Sequence, residues 1–116
     1  MAWQVRLHDE FEDEFSELPA QVQNELLAHT RVLAQIGPTL GRPLVDTLAG
    51  SKHANMKELR FQAADGVWRV AFAFDPTRAA ILLVAGDKSG VAQARFYKTL
   101  IERADARFDR HLAKGK

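Results

Sequence analysis

The sequence predicts an α+β domain, a small antiparallel sheet packed by helices in the order β-α-α-β-β-β-α. Three observations predict it. Segments near 56–63, 67–74 and 79–85 alternate apolar with polar residues, or run apolar between turn residues, at strand lengths. Stretches before and after them repeat apolar residues at helical spacing instead. Asp65-Gly66 stands between the first two strand segments as the two-residue signal of a type I′ hairpin.

Each element has its own signature. Trp3, Val5 and Leu7 alternate with Gln4, Arg6 and His8, which predicts a short half-buried strand. The acidic DEFEDEFSEL that follows reads as a short helix showing Phe11, Phe15 and Leu18 on one side. Pro19 suits the first turn of a second helix, striped by Val22, Leu26, Leu33 and Ile36 and stopped at Gly37-Pro38. Residues 37–55 form a Pro/Gly-punctuated connection with one helical turn expected around 44–48. After the three strands, the last helix is expected from about 90 to 112, with Phe96, Leu100, Ala104, Phe108 and Leu112 four apart and Asp87 or Ser89 available to cap it.

A chain of 116 residues, without a linker or repeat to divide it, predicts one domain over 1–116. Apolar residues at 47% and charged ones at 27% give the profile of a soluble globular protein. No apolar run approaches the roughly 20 residues that cross a bilayer. The opening MAWQVRLHDEFEDEF has no apolar signal core, and the chain has no cysteine, so a cytoplasmic location without disulfides is expected. The net charge of +1 conceals an asymmetry. Residues 1–36 hold two basic and seven acidic side chains, a balance of −5, and residues 37–116 hold 14 basic and 8 acidic, a balance of +6. The basic part suggests an anionic partner such as nucleic acid; solvated helix faces are the alternative.

With Asp65-Gly66 as the turn, Ala63 faces Trp68, Gln62 faces Arg69, Phe61 faces Val70 and Arg60 faces Ala71. Leu59, Phe61, Ala63, Trp68, Val70, Phe72 and Phe74 then lie on the core face, and Glu58, Arg60, Gln62, Arg69, Ala71 and Ala73 on an open one. Arg60 and Arg69 fall on a diagonal about 6–8 Å apart, with room above the two alanines. Paired guanidiniums repel unless an anion joins them, and the guanidinium fork fits phosphate. The alternative is internal: Glu58 pairs with Arg60, and a helix carboxylate takes Arg69. On an open face, truncating Arg69 would move stability by about 1 kcal/mol or less. Lys88, between two glycines in AGDKSG, is either a third cation of this site or a solvated turn lysine.

NMKELRF, GVWRVAFAF, AILLVAGDKSG and RFYKTLIERAD, in this order and spacing, resemble the HigB-like branch of the RelE/ParE toxin superfamily, including phage-related members. The resemblance runs from the helical pair through residue 112. It implies a toxin neutralised by a cognate antitoxin, often of the helix-turn-helix type, and a fold of the RelE/ParE kind. Members of the RelE and HigB type cut mRNA, commonly on the ribosome, while the ParE branch poisons gyrase. The family's basic strand positions match Arg60 and Arg69, its basic residue after the last strand matches Lys88, and its aromatic residue near the site matches Tyr97 or Phe96. One departure stands out: Glu58 occupies a position where RelE-type sequences carry lysine, and Lys57 points to the opposite face.

RNA cleavage through the 2′-hydroxyl requires a base, an acid and cations around the developing phosphorane charge. Arg60, Arg69 and Lys88 suit the last role. His53, in the loop before the hairpin, is the best placed of the four histidines for acid–base work, and Tyr97 could stack on an unpaired base or simply pack. The sequence has no HExxH, no carboxylate group at ligand spacing and no GxxxxGK or GxGxxG, so no cofactor and metal-independent chemistry are expected. The leading reading is a ribosome-dependent mRNA endonuclease. The alternatives are a non-enzymatic inhibitor of a protein target such as gyrase, with Arg60 and Arg69 as structural ion pairs, and an inactive phage-derived relative.

Overall fold

The computed structural model describes residues 2–115. Its elements are β1 (Gln4–Leu7), α1 (Asp9–Ser16), α2 (Ala20–Ile36), a 3₁₀ turn (Gly37–Thr39), β2 (Val45–Thr47), β3 (Lys57–Ala63), β4 (Gly66–Phe74), β5 (Ala79–Asp87) and α3 (Gln93–Lys114). The strands form one five-stranded sheet in the order β1-β5-β4-β3-β2. The α+β class and the expected element order hold, with one strand more. No described helix is long and apolar enough to cross a membrane.

Local chemistry explains the helix ends. His8 Nδ1 accepts the Glu10 backbone N–H at 3.1 Å, and Asp9, Glu10 and Glu12 fill the first turn of α1, where the helix dipole favours anions. The end of α2 is set at Gly37, whose φ of +78° is left-handed. A Cβ there would also lie 2.3 Å from Trp3 Nε1, so the missing side chain lets the Trp3 indole, just ahead of β1, seat against the helix end. The Trp3 backbone N–H donates to Ala34 O at 2.7 Å and completes that joint.

The sheet is buried on both faces. On one, Phe11, Val22, Leu26 and Leu33 of α1 and α2 meet Leu59, Val70, Phe72 and Leu82. On the other, Phe96, Leu100, Ala104 and Phe108 of α3 meet Met56, Ala71, Ala73, Ile81 and Leu83. The face expected to be open is therefore roofed. Ala71 and Ala73 are fully buried because small residues let the apolar stripe of α3 approach the sheet.

Four further expectations are corrected. The sheet is mixed: β1 joins β5 in parallel, Gln4 opposite Ala79 through Leu7 opposite Leu82, while the other pairings are antiparallel. Only the hairpins are local, and the partner of β1 lies some 75 residues away along the chain, beyond the reach of pattern reading. The expected helical turn at 44–48 is instead the edge strand β2, whose Val45, Asp46 and Thr47 pair with Leu59, Glu58 and Lys57. Two β-branched residues in three favour that outcome.

The hairpin turn is also displaced by one residue. Ala64 and Asp65 are its centre, with φ of +51° and +61°, and Gly66 is the first residue of β4, opposite Ala63. A Cβ on Gly66 would lie 2.7 Å from Trp68 Nε1 and 2.9 Å from Asp87 Oδ2, so the glycine serves close packing within the sheet rather than the turn. Every pairing moves by two, so each residue keeps its face while Arg60 comes to stand directly opposite Arg69. Neither Asp87 nor Ser89 caps α3; both accept the Val67 N–H, at 3.0 and 3.1 Å, and Ala92 occupies the cap position.

Candidate functional site

Strand periodicity puts Glu58, Arg60 and Arg69 on the face that α3 covers, and the first turns of that helix bring Tyr97 down onto them. The Tyr97 hydroxyl donates to Glu58 Oε1 at 2.8 Å and accepts from Arg69 Nε at 3.2 Å. Arg69 Nε also stands 3.7 Å from Glu58 Oε1, and Arg60 Nη1 stands 3.5 Å from Glu58 Oε2. One carboxylate thus faces two guanidiniums and a phenol. The internal alternative is realised for Arg60 through Glu58, and Arg69 draws on the same carboxylate rather than on one from a helix.

Burial divides the two arginines. The Arg69 side chain is 7% exposed and fixed by a further bond from Nη1 to Trp68 O at 2.9 Å. Arg60 is 31% exposed and opens onto a cleft of about 580 Å³ lined also by Arg42, Asp46, Leu48, Gln93 and Tyr97. Asp46 joins the network from β2, taking Arg42 Nη2 at 2.7 Å and standing 3.5 Å from Arg60 Nη1. Lys88 leaves β5 beside the same corner, its N–H donating to Val67 O at 2.8 Å. Its ammonium lies 5.8 Å from the centre of the Tyr97 ring, within cation–π range.

The electrostatics follow from this arrangement. Burial pushes the Glu58 carboxyl up from its ordinary range, against the Tyr97 hydrogen bond and the two arginines, which favour the anion. Burial likewise raises the Tyr97 phenol, with the bond to Glu58 acting in the same direction. The Arg42 hydrogen bond holds Asp46 below the usual carboxylate range. The cluster combines a buried anion with cations that look outward, which suits holding a phosphate beside a proton-accepting group.

Four of the five residues singled out from sequence, Arg60, Arg69, Lys88 and Tyr97, meet at this corner. His53 does not. Its Nε2 pairs with Asp109 Oδ1 at 2.8 Å and its ring packs edge-on to Phe108, with centroids 4.9 Å apart. From 97 to 109 along α3 is about 18 Å at 1.5 Å per residue. His53 instead belongs to a clasp in which Ser51 and the Lys52 N–H also bind Asp105. Sequence reading missed the central part of Glu58 and the contributions of Arg42 and Asp46. The alternation that placed Arg60 and Arg69 on one face also placed Glu58 there, whereas Arg42 and Asp46 carried no signal once β2 was read as helix.

The comparisons with known proteins agree with this fold. The family model described as Phage derived protein Gp49-like (DUF891) matches residues 13–109. Two relatives from Mycobacterium tuberculosis (strain ATCC 25618 / H37Rv), named as toxins HigB2 and HigB3, are each 50% identical, over 90 and 82 residues. The matches span 76% and 71% of this chain, but 44% of the length of the first relative and 69% of the second. Among solved structures, a mutant of the E. coli toxin RelE in the free state superposes with a TM-score of 0.63 at 13% identity, covering 88% of this chain and 96% of that one. The archaeal RelE-RelB complex from Pyrococcus horikoshii OT3 gives 0.56 at 17% identity, covering 78% and 100%. At those identities the likeness is one of fold. By its family match and its 50% identical relatives, the chain belongs to the Gp49-like family of phage-derived proteins and is HigB-like, with the fold of the RelE structures.

Proposed function

We propose that this protein is the toxin of a type II toxin–antitoxin pair, a cytoplasmic, metal-independent endoribonuclease that cuts mRNA on the ribosome and is held in check by a cognate antitoxin of the helix-turn-helix type. The observation that carries the reading is a cleft lined by Arg42, Arg60 and Tyr97, with the Lys88 ammonium over the Tyr97 ring. Arg60 offers a partly exposed guanidinium to a scissile phosphate, and Arg69 fixes Tyr97 and Glu58 from below. Preorganised cations at such a position stabilise the charge that develops as a phosphorane forms. The Tyr97 ring offers a stacking surface for an unpaired base. The names of the relatives and the RelE–RelB neighbour support a toxin with an antitoxin partner.

One observation favours a second reading. Arg60 and Arg69 both face Glu58 inside the protein, as structural ion pairs would in an inhibitor that binds a protein target such as gyrase. Brief expression without antitoxin separates the two. Translation should fail first, with new 5′ ends on mRNA mapped by primer extension. Failure of DNA synthesis ahead of translation would favour the inhibitor. Normal growth at verified expression would leave an inactive relative.

A further inference from the structure

Two carboxylates line the cleft, and their surroundings push them apart. Asp46 is committed: its Oδ2 takes Arg42 Nε and Nη2 at 3.1 and 2.7 Å, its Oδ1 takes the Thr47 N–H at 2.9 Å, and its affinity for a proton is lowered. Glu58 is the opposite. Its Oε1 is held by Tyr97, while Oε2 faces Arg60 Nη1 at 3.5 Å, a distance that leaves this oxygen able to accept a stronger hydrogen bond. Burial raises its affinity for a proton, against the pull of Tyr97 and the two arginines.

We propose that Glu58 Oε2 is the proton acceptor for the attacking 2′-hydroxyl, with Tyr97 as the residue that positions it; the proposal rests on the RNA-cleaving reading above. A phosphate held at the exposed guanidinium of Arg60 brings the neighbouring ribose hydroxyl to the oxygen that faces Arg60. Glu58 Oε2 takes the 2′-hydroxyl proton as the 2′-oxygen forms its bond to phosphorus. The bond from phosphorus to the 5′-oxygen breaks, and that oxygen takes a proton from water. The products are a 2′,3′-cyclic phosphate and a free 5′-hydroxyl, and Glu58 returns its proton to solvent. His53, tied to Asp109 near the far end of α3, has no part in this step.

The groups that set the protonation of Glu58 come from every element around it. Arg60 shares its strand, Arg69 reaches from β4, Asp46 and Arg42 stand on the β2 side, and Tyr97 descends from α3 with Lys88 against its ring.

The test is mRNA cleavage in a purified translation reaction, read by primer extension from pH 5 to 8, for wild type, E58Q and E58D, each checked for folding by circular dichroism. We expect E58Q to fold and to cut about 10²–10⁴-fold more slowly, with loss of the acidic limb of the pH–rate profile. E58D, which keeps the carboxylate but withdraws it by one methylene, should recover part of the rate with a displaced limb. Wild-type cutting alongside E58Q within threefold of it, acidic limb intact, would overturn this proposal and leave the nuclease reading standing. No cutting by the wild type would overturn both. Where E58Q does not fold, E58D decides: a folded E58D with wild-type rate and limb overturns the proposal.

Discussion

Tyr97 on α3 donates its hydroxyl to Oε1 of Glu58 on β3 at 2.8 Å, joining residues 39 positions apart. Arg69 donates to the same hydroxyl at 3.2 Å. This short chain of bonds docks the first turns of the last helix on the sheet and makes a buried carboxylate tolerable. It also decides which arginine is structural and which faces the cleft.

Arg69→Ala should destabilise the protein by about 3 kcal/mol, the low end for breaking a buried pair, because Arg60 still faces Glu58. This replaces the expectation of 1 kcal/mol or less that an open face implied. Tyr97→Phe should lose about 1–3 kcal/mol, because it keeps the ring but leaves Glu58 without its strongest donor. Urea unfolding of both variants measures these losses. An Arg69→Ala variant as stable as wild type would contradict the burial described here.

Arg60→Gln and Lys88→Gln should weaken binding of a single-stranded oligoribonucleotide and make it less sensitive to salt. Each cation that neutralises a phosphate contributes about 0.7 to the slope of log K against log salt on single strands. Titrations from low to moderate salt read that slope. Lys52→Gln is the control, since that lysine pairs with Asp109 well away from the cleft, and its slope should not change.

Acid should loosen the β4–β5 turn. Asp75 Oδ1 accepts the Thr77 and Ala79 N–H groups and the Thr77 hydroxyl, and Oδ2 pairs with His111 at 2.7 Å. These bonds outweigh the opposing effect of burial and hold its pKa down to about 2, below the ordinary 3.8. A depressed folded value means that the stabilisation, about 2 kcal/mol, is fully present above pH 3.8 and is lost as pH falls toward 2. Asp75→Asn should be less stable at pH 6, with the difference from wild type shrinking below pH 3. Melting curves across that range check the sign.

Gly37→Ala should be among the most disruptive single-methyl additions. A φ of +78° with ψ of −151° is a conformation essentially restricted to glycine and costs an L side chain on the order of 1–3 kcal/mol, and the new methyl group would lie 2.3 Å from Trp3 Nε1. Trp3 also packs edge-on to Phe74 and under Arg78, so the indole cannot shift without losing both contacts. Gly90→Ala is the contrast. Its φ is also positive, at +71°, but a Cβ there meets nothing within 4 Å, so only the backbone penalty applies. Thermal melting and tryptophan emission should separate the two variants.

Features that depend on neighbours along the chain were legible in the residues alone. Alternation in KELRF and GVWRVAFAF assigned Glu58, Arg60 and Arg69 to one face of a hairpin, and that survived the shift of the turn because pairings moved by an even number. Helical spacing gave α2 and α3, and the quoted motifs carried the family resemblance. Tertiary structure decided the rest. Gly66 went into β4 rather than the turn, where its bare backbone sits against Trp68 and against Asp87 of another strand. The parallel docking of β1 on β5 depends on which sheet edge is left free, a property of the assembled sheet. The face read as open was closed by α3, whose stripe needed an apolar surface that Ala71, Ala73 and Met56 supply. With that roof in place, His53 was carried away with Asp109, and Glu58 became the residue around which Arg60, Arg69 and Tyr97 meet, because a carboxylate removed from water must find donors wherever the fold brings them.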